Sequence, residues 1–192
     1  MSVTPSRDVH YTYAEYRAFE NGSIDRHEYI AGEIYAMAGG TPDHAALPIT
    51  IGALLRPQLR RGCRVFSSDL RIRIPQADAA TYPDLSIACG GTQQADDDEL
   101  AITNPVVVVE VTSNSTERYD RGKKLEHYKT IDSLQEVLIV SHREPRLTVH
   151  RRDGSGGWLV EEARAGQSAR LESIGAELNV DDVYRDSLEE VR

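Results

Sequence analysis

Glu110 stands inside a run of valines, in the stretch NPVVVVEVT of residues 104 to 112. A strand that apolar is expected to be buried on both faces, where an unpaired carboxylate is costly. Side chains alternate faces along a strand, so Val106, Val108, Glu110 and Thr112 share one side and Val107, Val109 and Val111 the other. The preceding strand-like run, TYPDLSIAC, shows the same pattern. There Asp84, Ser86 and Ala88 oppose Leu85, Ile87 and Cys89. If the two strands are neighbours in register, Asp84 and Glu110 face each other across roughly 5 Å. Two carboxylates that close repel unless a proton or a cation lies between them. A divalent metal resolves the conflict, and oxygen ligands suit magnesium or manganese. The alternative is an arginine partner, for which Arg71 and Arg73 are the candidates, or a solvated sheet end.

A third group follows. Residues 117 to 131 read as a helix, with Leu125, Tyr128 and Ile131 defining its apolar side. At about 100° per residue, Lys124 lies roughly 40° from the centre of that side, whereas Lys123 points to solvent. An inward lysine on the helix leaving the Glu110 strand can reach back to the carboxylates, though a snorkelling stem with a solvated head is the commoner use of such a lysine.

The elements that must position these groups are legible in outline. Thr12 caps a helix through YAEYRAFEN, stopped at Asn21-Gly22. EYIAGEIYAM reads as a hairpin turning at Ala31-Gly32. Asp43 is the expected cap of a helix through HAALPITIGALLRPQLRR, which Pro57 should end early. RVFSSDLRIRI, TYPDLSIAC and PVVVVEVT are expected strands. The acidic GGTQQADDDELAIT between the last two reads as a solvated loop. EVLIVS is a further buried strand, RLTVHRR and GWLVEEA form a hairpin, and LESIGAELNVDDVYRD ends in a short helix. A helix joining two strands of one sheet favours a right-handed parallel crossover. The expected class is therefore α/β (α+β), a mixed β-sheet flanked by helices, in one domain over residues 1–192 with its core at about 26–185.

Composition sets further bounds. The formal charge is 22 − 31 = −9, which opposes non-specific adhesion to nucleic acid. A local basic stretch, with Arg60, Arg61, Arg64, Arg71 and Arg73, reads first as solvated arginines. No apolar run approaches the roughly 20 residues of a membrane span, and no secretory leader is visible, so a cytoplasmic location is expected. Cys63 and Cys89, the two cysteines, have no CxxC neighbours and are expected to be reduced thiols. Ser113 and Ser115 near His127 suggest a nucleophile, but without a GxSxG elbow they read better as caps of the helix near Glu117.

YPD at 82–84, VVVVEV to Glu110 and RYDRGKKLEHY together resemble the Uma family of bacterial restriction-endonuclease-like proteins, assigned to the PD-(D/E)xK nuclease superfamily. The resemblance runs from EYIAGEIYAMAGG through GAELNVDDVY, and EVTSNSTERYDRGKKLEHY is its most specific segment. It implies a restriction-endonuclease-like fold and a magnesium- or manganese-dependent endonuclease acting on DNA, with Pro83-Asp84 as the PD element and Glu110 as the (D/E). The x-K position falls at Thr112, so the resemblance implies a lysine migrated to Lys124. Glu33 and His44 match further family positions and are second-rank candidates, with Asp69 weaker still. Tyr119 and Asp120 are expected to position the turn into the helix. A homodimer is implied by analogy, since each site would face one strand of a duplex. The competing reading is a catalytically weak nuclease-fold binding or regulatory module, favoured by the acidic charge.

Overall fold

A computed structural model describes residues 10–37, 39–114 and 117–187. Helix α1 (Tyr13–Gly22) begins at a full capping box, in which Thr12 and Glu15 satisfy each other's backbone N–H groups. Strands β1 (His27–Ile30) and β2 (Glu33–Ala36) form the expected hairpin. Its two-residue turn holds Ala31 at φ 47° and Gly32 at φ 94°, the left-handed pair that a tight hairpin requires. Helix α2 (Pro42–Leu55) is capped by Thr41, whose hydroxyl accepts from the His44 N–H, and not by Asp43. A 3₁₀ turn containing Pro57 follows it.

RVFSSDLRIRI, read as one strand, is two: β3 (Cys63–Ser67) and β4 (Arg71–Ile74), which enter different sheets. Then come β5 (Ala79–Thr81), β6 (Leu85–Cys89), β7 (Gln94–Ala95), β8 (Asp98–Ile102) and β9 (Val107–Val111). The segment read as a solvated acidic loop is thus the β7–β8 hairpin. Asp98 within it is buried, accepting from the Tyr13 hydroxyl at 2.6 Å and pairing with Arg71 at 3.2 Å. The next helix comes in pieces: α3 (Glu117–Tyr119), a π-helical turn over Asp120–Lys124 with non-helical backbone at Gly122, and α4 (Leu125–Lys129). β10 (Glu136–Val140), β11 (Arg146–Arg152), β12 (Trp158–Arg164), β13 (Ser168–Leu171), β14 (Ala176–Asn179) and α5 (Val180–Val183) complete the chain.

Two six-stranded mixed sheets result, ordered β2-β1-β5-β4-β8-β7 and β12-β11-β10-β9-β6-β3, with β13-β14 as a separate pair. The expectation of a mixed sheet holds, but the strands divide between two. In the second sheet β9 and β10 are parallel, joined by the α3–α4 crossover, and β6 runs antiparallel to β9. The valine strand is covered on both sides. Val107, Val109 and Val111 pack with Leu47, Ile51 and Leu55 of α2. Val108 packs with Leu125, Tyr128 and Ile131, and this cluster also takes in Ile72 and Ile74 of the first sheet. Helix α1 lays Tyr13 and Tyr16 against Tyr29 and Ala80.

The cysteines overturn their expectation. β3 and β6 pair with Cys63 directly opposite Cys89, the Cα atoms 4.0 Å apart, and the two form a disulfide. Register, not local spacing, brings them together. No helix among the described residues is long and apolar enough to cross a membrane.

A candidate acid–lysine centre

The register of β6 against β9 pairs Leu85 with Val109 and Ser86 with Val108. Continued one step, the same register would set Asp84 across from Glu110, and both line one cavity. Asp84 lies just before β6, and its carboxylate accepts the Val111 N–H at 2.7 Å. Glu110 is 3% exposed. Its Oε1 accepts from the Tyr128 hydroxyl at 2.5 Å and from the Lys124 ammonium at 2.9 Å. Lys124 is itself buried, while Lys123 is exposed. Asp120, Lys124 and Tyr128, spaced by four, are all buried, on either side of the non-helical backbone at Gly122.

The ammonium has a second partner that the sequence did not announce. Glu28 of β1 accepts from Lys124 at 2.9 Å and from the Tyr82 N–H at 3.1 Å. The sequence offers Glu33, and not Glu28, as the acid of this hairpin. Glu33 is exposed at the turn end of β2, where the Tyr35 hydroxyl donates to it, and it does not line the cavity around the centre. His44, in the first turn of α2, does arrive there. Its Nε2 lies 2.9 Å from the Val111 carbonyl and 3.9 Å from Asp84. Asp69 does not, being exposed and paired with Arg26. Neither arginine considered as a partner reaches the acids, because Arg71 pairs with Asp98 and Arg73 with Asp78 and Asp97. Ser113 accepts the Glu117 N–H through its carbonyl. Ser115 lies outside the described residues.

Electrostatics define what the group lacks. Glu28, Asp84 and Glu110 bring three carboxylates to one buried ammonium, and Asp120 lies near them. Burial raises the Glu110 pKa to about 8, helped by Asp84, Asp120 and Glu28 and opposed by Lys124. Burial also raises Asp84, against the Val111 N–H and His44. Burial alone would lower Lys124, but Glu110 and Glu28 hold it well above its ordinary value. The ammonium therefore stays charged, and the acids remain short of positive charge.

That shortage is what a divalent cation supplies. Two carboxylates from adjacent strands are a hard-oxygen donor pair of the kind that holds magnesium, which keeps waters and takes substrate oxygens for the rest of its shell. Among the described residues no three His, Cys, Asp or Glu side chains form a fuller coordination cluster. The residues therefore fit a sparsely held cation and not an all-protein cage.

The centre opens into a cavity of about 510 Å³ walled by Ile30, Tyr35, Met37, Tyr82 and Tyr119 among others. A second cleft, about 610 Å³, lies beside Arg26, Arg64 and Asp69 and contains none of the acid–lysine group.

Comparison with known proteins identifies relatives of the whole chain. Residues 13–181 match the family model Uma2, described as "Putative restriction endonuclease". Two uncharacterized proteins of Synechocystis sp. are similar. One is 36% identical over 89% of this chain and 90% of its own, the other 32% identical over 84% and 91%. The fold matches the crystal structure of a "putative nuclease belonging to DUF820" from Anabaena variabilis, with a TM-score of 0.70 at 20% identity, covering 91% of this chain and 98% of that one.

Proposed function

Since the chain belongs to the Uma2 family, we propose that it hydrolyses phosphodiester bonds in DNA with the help of a magnesium or manganese ion held by Asp84 and Glu110. The observation that carries this reading is the meeting of two strand carboxylates and the Lys124 ammonium at the floor of one cavity, with acid in excess. A cation bound there would polarise a phosphate oxygen and acidify a water molecule.

The chain's own residues have distinct tasks. Lys124, fixed by Glu28 and Glu110, offers its remaining N–H to a phosphate oxygen or to the attacking water, aimed before substrate arrives. The Tyr128 hydroxyl holds Glu110 in orientation. His44 ties the start of α2 to the end of β9 through the Val111 carbonyl. In the reaction the water oxygen forms a bond to phosphorus, the P–O ester bond breaks, and the leaving oxygen takes up a proton.

Metal binding measured by calorimetry, alongside cleavage of single-stranded and duplex DNA, tests the proposal. Wild type should bind magnesium or manganese and cut the DNA. Glu110→Gln should lose the binding, and Asp84→Ala should lose cleavage while keeping a cooperative unfolding transition. Unchanged cleavage by Asp84→Ala would remove that residue from the mechanism. The net charge of −9 favours a second reading, a nuclease fold serving as a binding or regulatory module. No binding at millimolar metal would select it.

A further inference from the structure

The walls of the cavity, rather than its floor, say what enters. The hairpin register places Tyr35 directly opposite Glu28, so its ring stands on the same face as the acid that holds Lys124. Tyr35 is 49% exposed, so its ring is reachable from solvent at the cavity wall. Tyr119 lines the same cavity, and its buried hydroxyl has no hydrogen-bond partner among the described residues. A buried phenol left in that state is costly, and a polar edge brought in by a ligand would relieve it. The cavity, about 510 Å³, is the size of sites that enclose one compact group. Glu110 at its floor is nearly inaccessible from outside, 3% exposed, while the Asp84 side chain is 17% exposed. A phosphate kept on the outside of an intact double helix would have to descend into this recess. The cations lining it are Lys123 and Lys124 beside His44, and Lys124 already serves two carboxylates. Gripping a duplex takes several backbone contacts from lysine and arginine.

From this geometry we infer that the site takes its scissile nucleotide unpaired, from single-stranded or frayed DNA, with the base stacked on Tyr35 and its polar edge toward the Tyr119 hydroxyl. Stacking on an aromatic ring is tolerant of sequence, because every base has a π face. An unpaired nucleotide can also be drawn below the surface where a paired one cannot, the same reason enzymes extrude bases to act on them. This inference rests on the nuclease reading above and narrows its substrate.

The test compares one oligonucleotide as a single strand, as a blunt duplex, and as a duplex with a single-stranded overhang, each with manganese. The single strand and the overhang should be cut at least about tenfold faster than the blunt duplex. Tyr35→Ala should raise KM for the single strand by about tenfold or more, the loss of one stacked base, with a smaller change in kcat. Tyr35→Phe, which keeps the ring, should restore KM. Equal or faster cutting of the blunt duplex, or a KM indifferent to Tyr35→Ala, overturns the inference and leaves the nuclease reading intact. Cutting of none of the three by wild type overturns both.

Discussion

Replacing Lys124 by methionine removes one positive charge while keeping most of the side-chain volume. In the native protein that ammonium lies 2.9 Å from both Glu110 and Glu28, with all three groups buried. Removing one partner of a buried ion pair costs about 3–5 kcal/mol, because the remaining charge is left uncompensated. Here two acids lose the same partner, so the upper part of that range is expected wherever both are ionised. The cost must depend on pH. Glu110 already titrates near 8 with the lysine present, and without it the acid rises further. At pH 5.5 it is protonated and needs no counter-charge, whereas near pH 9 it is forced toward ionisation. Urea unfolding can be followed through Trp158, the single tryptophan. With a slope of about 2 kcal/mol/M, the midpoint of Lys124→Met should fall by about 2 M at pH 9 and by less than half of that at pH 5.5. Millimolar magnesium should recover part of the loss at high pH, because a ligand bound only by the folded state adds RT ln(1 + [L]/Kd). The double variant Glu110→Gln/Lys124→Met should also be more stable than the single one at pH 9. A midpoint independent of Lys124, or a loss that grows on acidification, would refute the charge-deficit account of the centre.

The wild-type protein should itself lose stability as pH rises. The folded state raises Glu110 from 4.5 to about 8, so between these values the fold binds the extra proton. Its contribution is complete below 4.5 and is lost as pH climbs through 8. In apo protein this loss is readable as a Tm that falls as pH rises and that magnesium flattens. Reducing the Cys63–Cys89 disulfide, which spans 26 residues, should cost about 3 kcal/mol and lower Tm by roughly 10 °C, measured with and without dithiol. Gly40→Ala would place a methyl 2.6 Å from Nδ1 of His44. It should therefore displace the ring from the Val111 carbonyl and reduce metal-dependent cleavage with little change in urea midpoint. Unaltered cleavage by that variant would separate His44 from the chemistry.

Alternation and helical phase made the centre legible where strands and helices are long. In VVVVEV the period of two assigns Glu110 a face, and the Asp84 strand repeats the pattern. Lys124 could be told from Lys123 because Leu125, Tyr128 and Ile131 define a sector. Glu28 escaped because β1 has four residues, too few for a pattern, and because its hairpin offers two acids on one face. The register pairs Ile30 with Glu33 and Glu28 with Tyr35, so both glutamates project to the same side. Only the placement of β1 beside β5, which leads into Tyr82 and Asp84, decides which of them is buried. The disulfide escaped for a related reason: strand order and register, invisible to local spacing, set Cys63 against Cys89. Asp98 was lost in a run of aspartates that looks hydrated, although Arg71 and Tyr13 draw that one member inside.

The wide turn at Asp120–Lys124 gives the cavity two separately adjustable halves. Leu125 and Tyr128 anchor α4 in the core, so the amine keeps its bearing on the sheet whatever precedes it. Tyr119 and Asp120 depend instead on the slack stored in that turn. Deleting Gly122 would take up the slack and reorient both, leaving Glu28, Asp84, Glu110 and the amine where they were. Selection could in this way exchange what the recess accepts without rebuilding its floor.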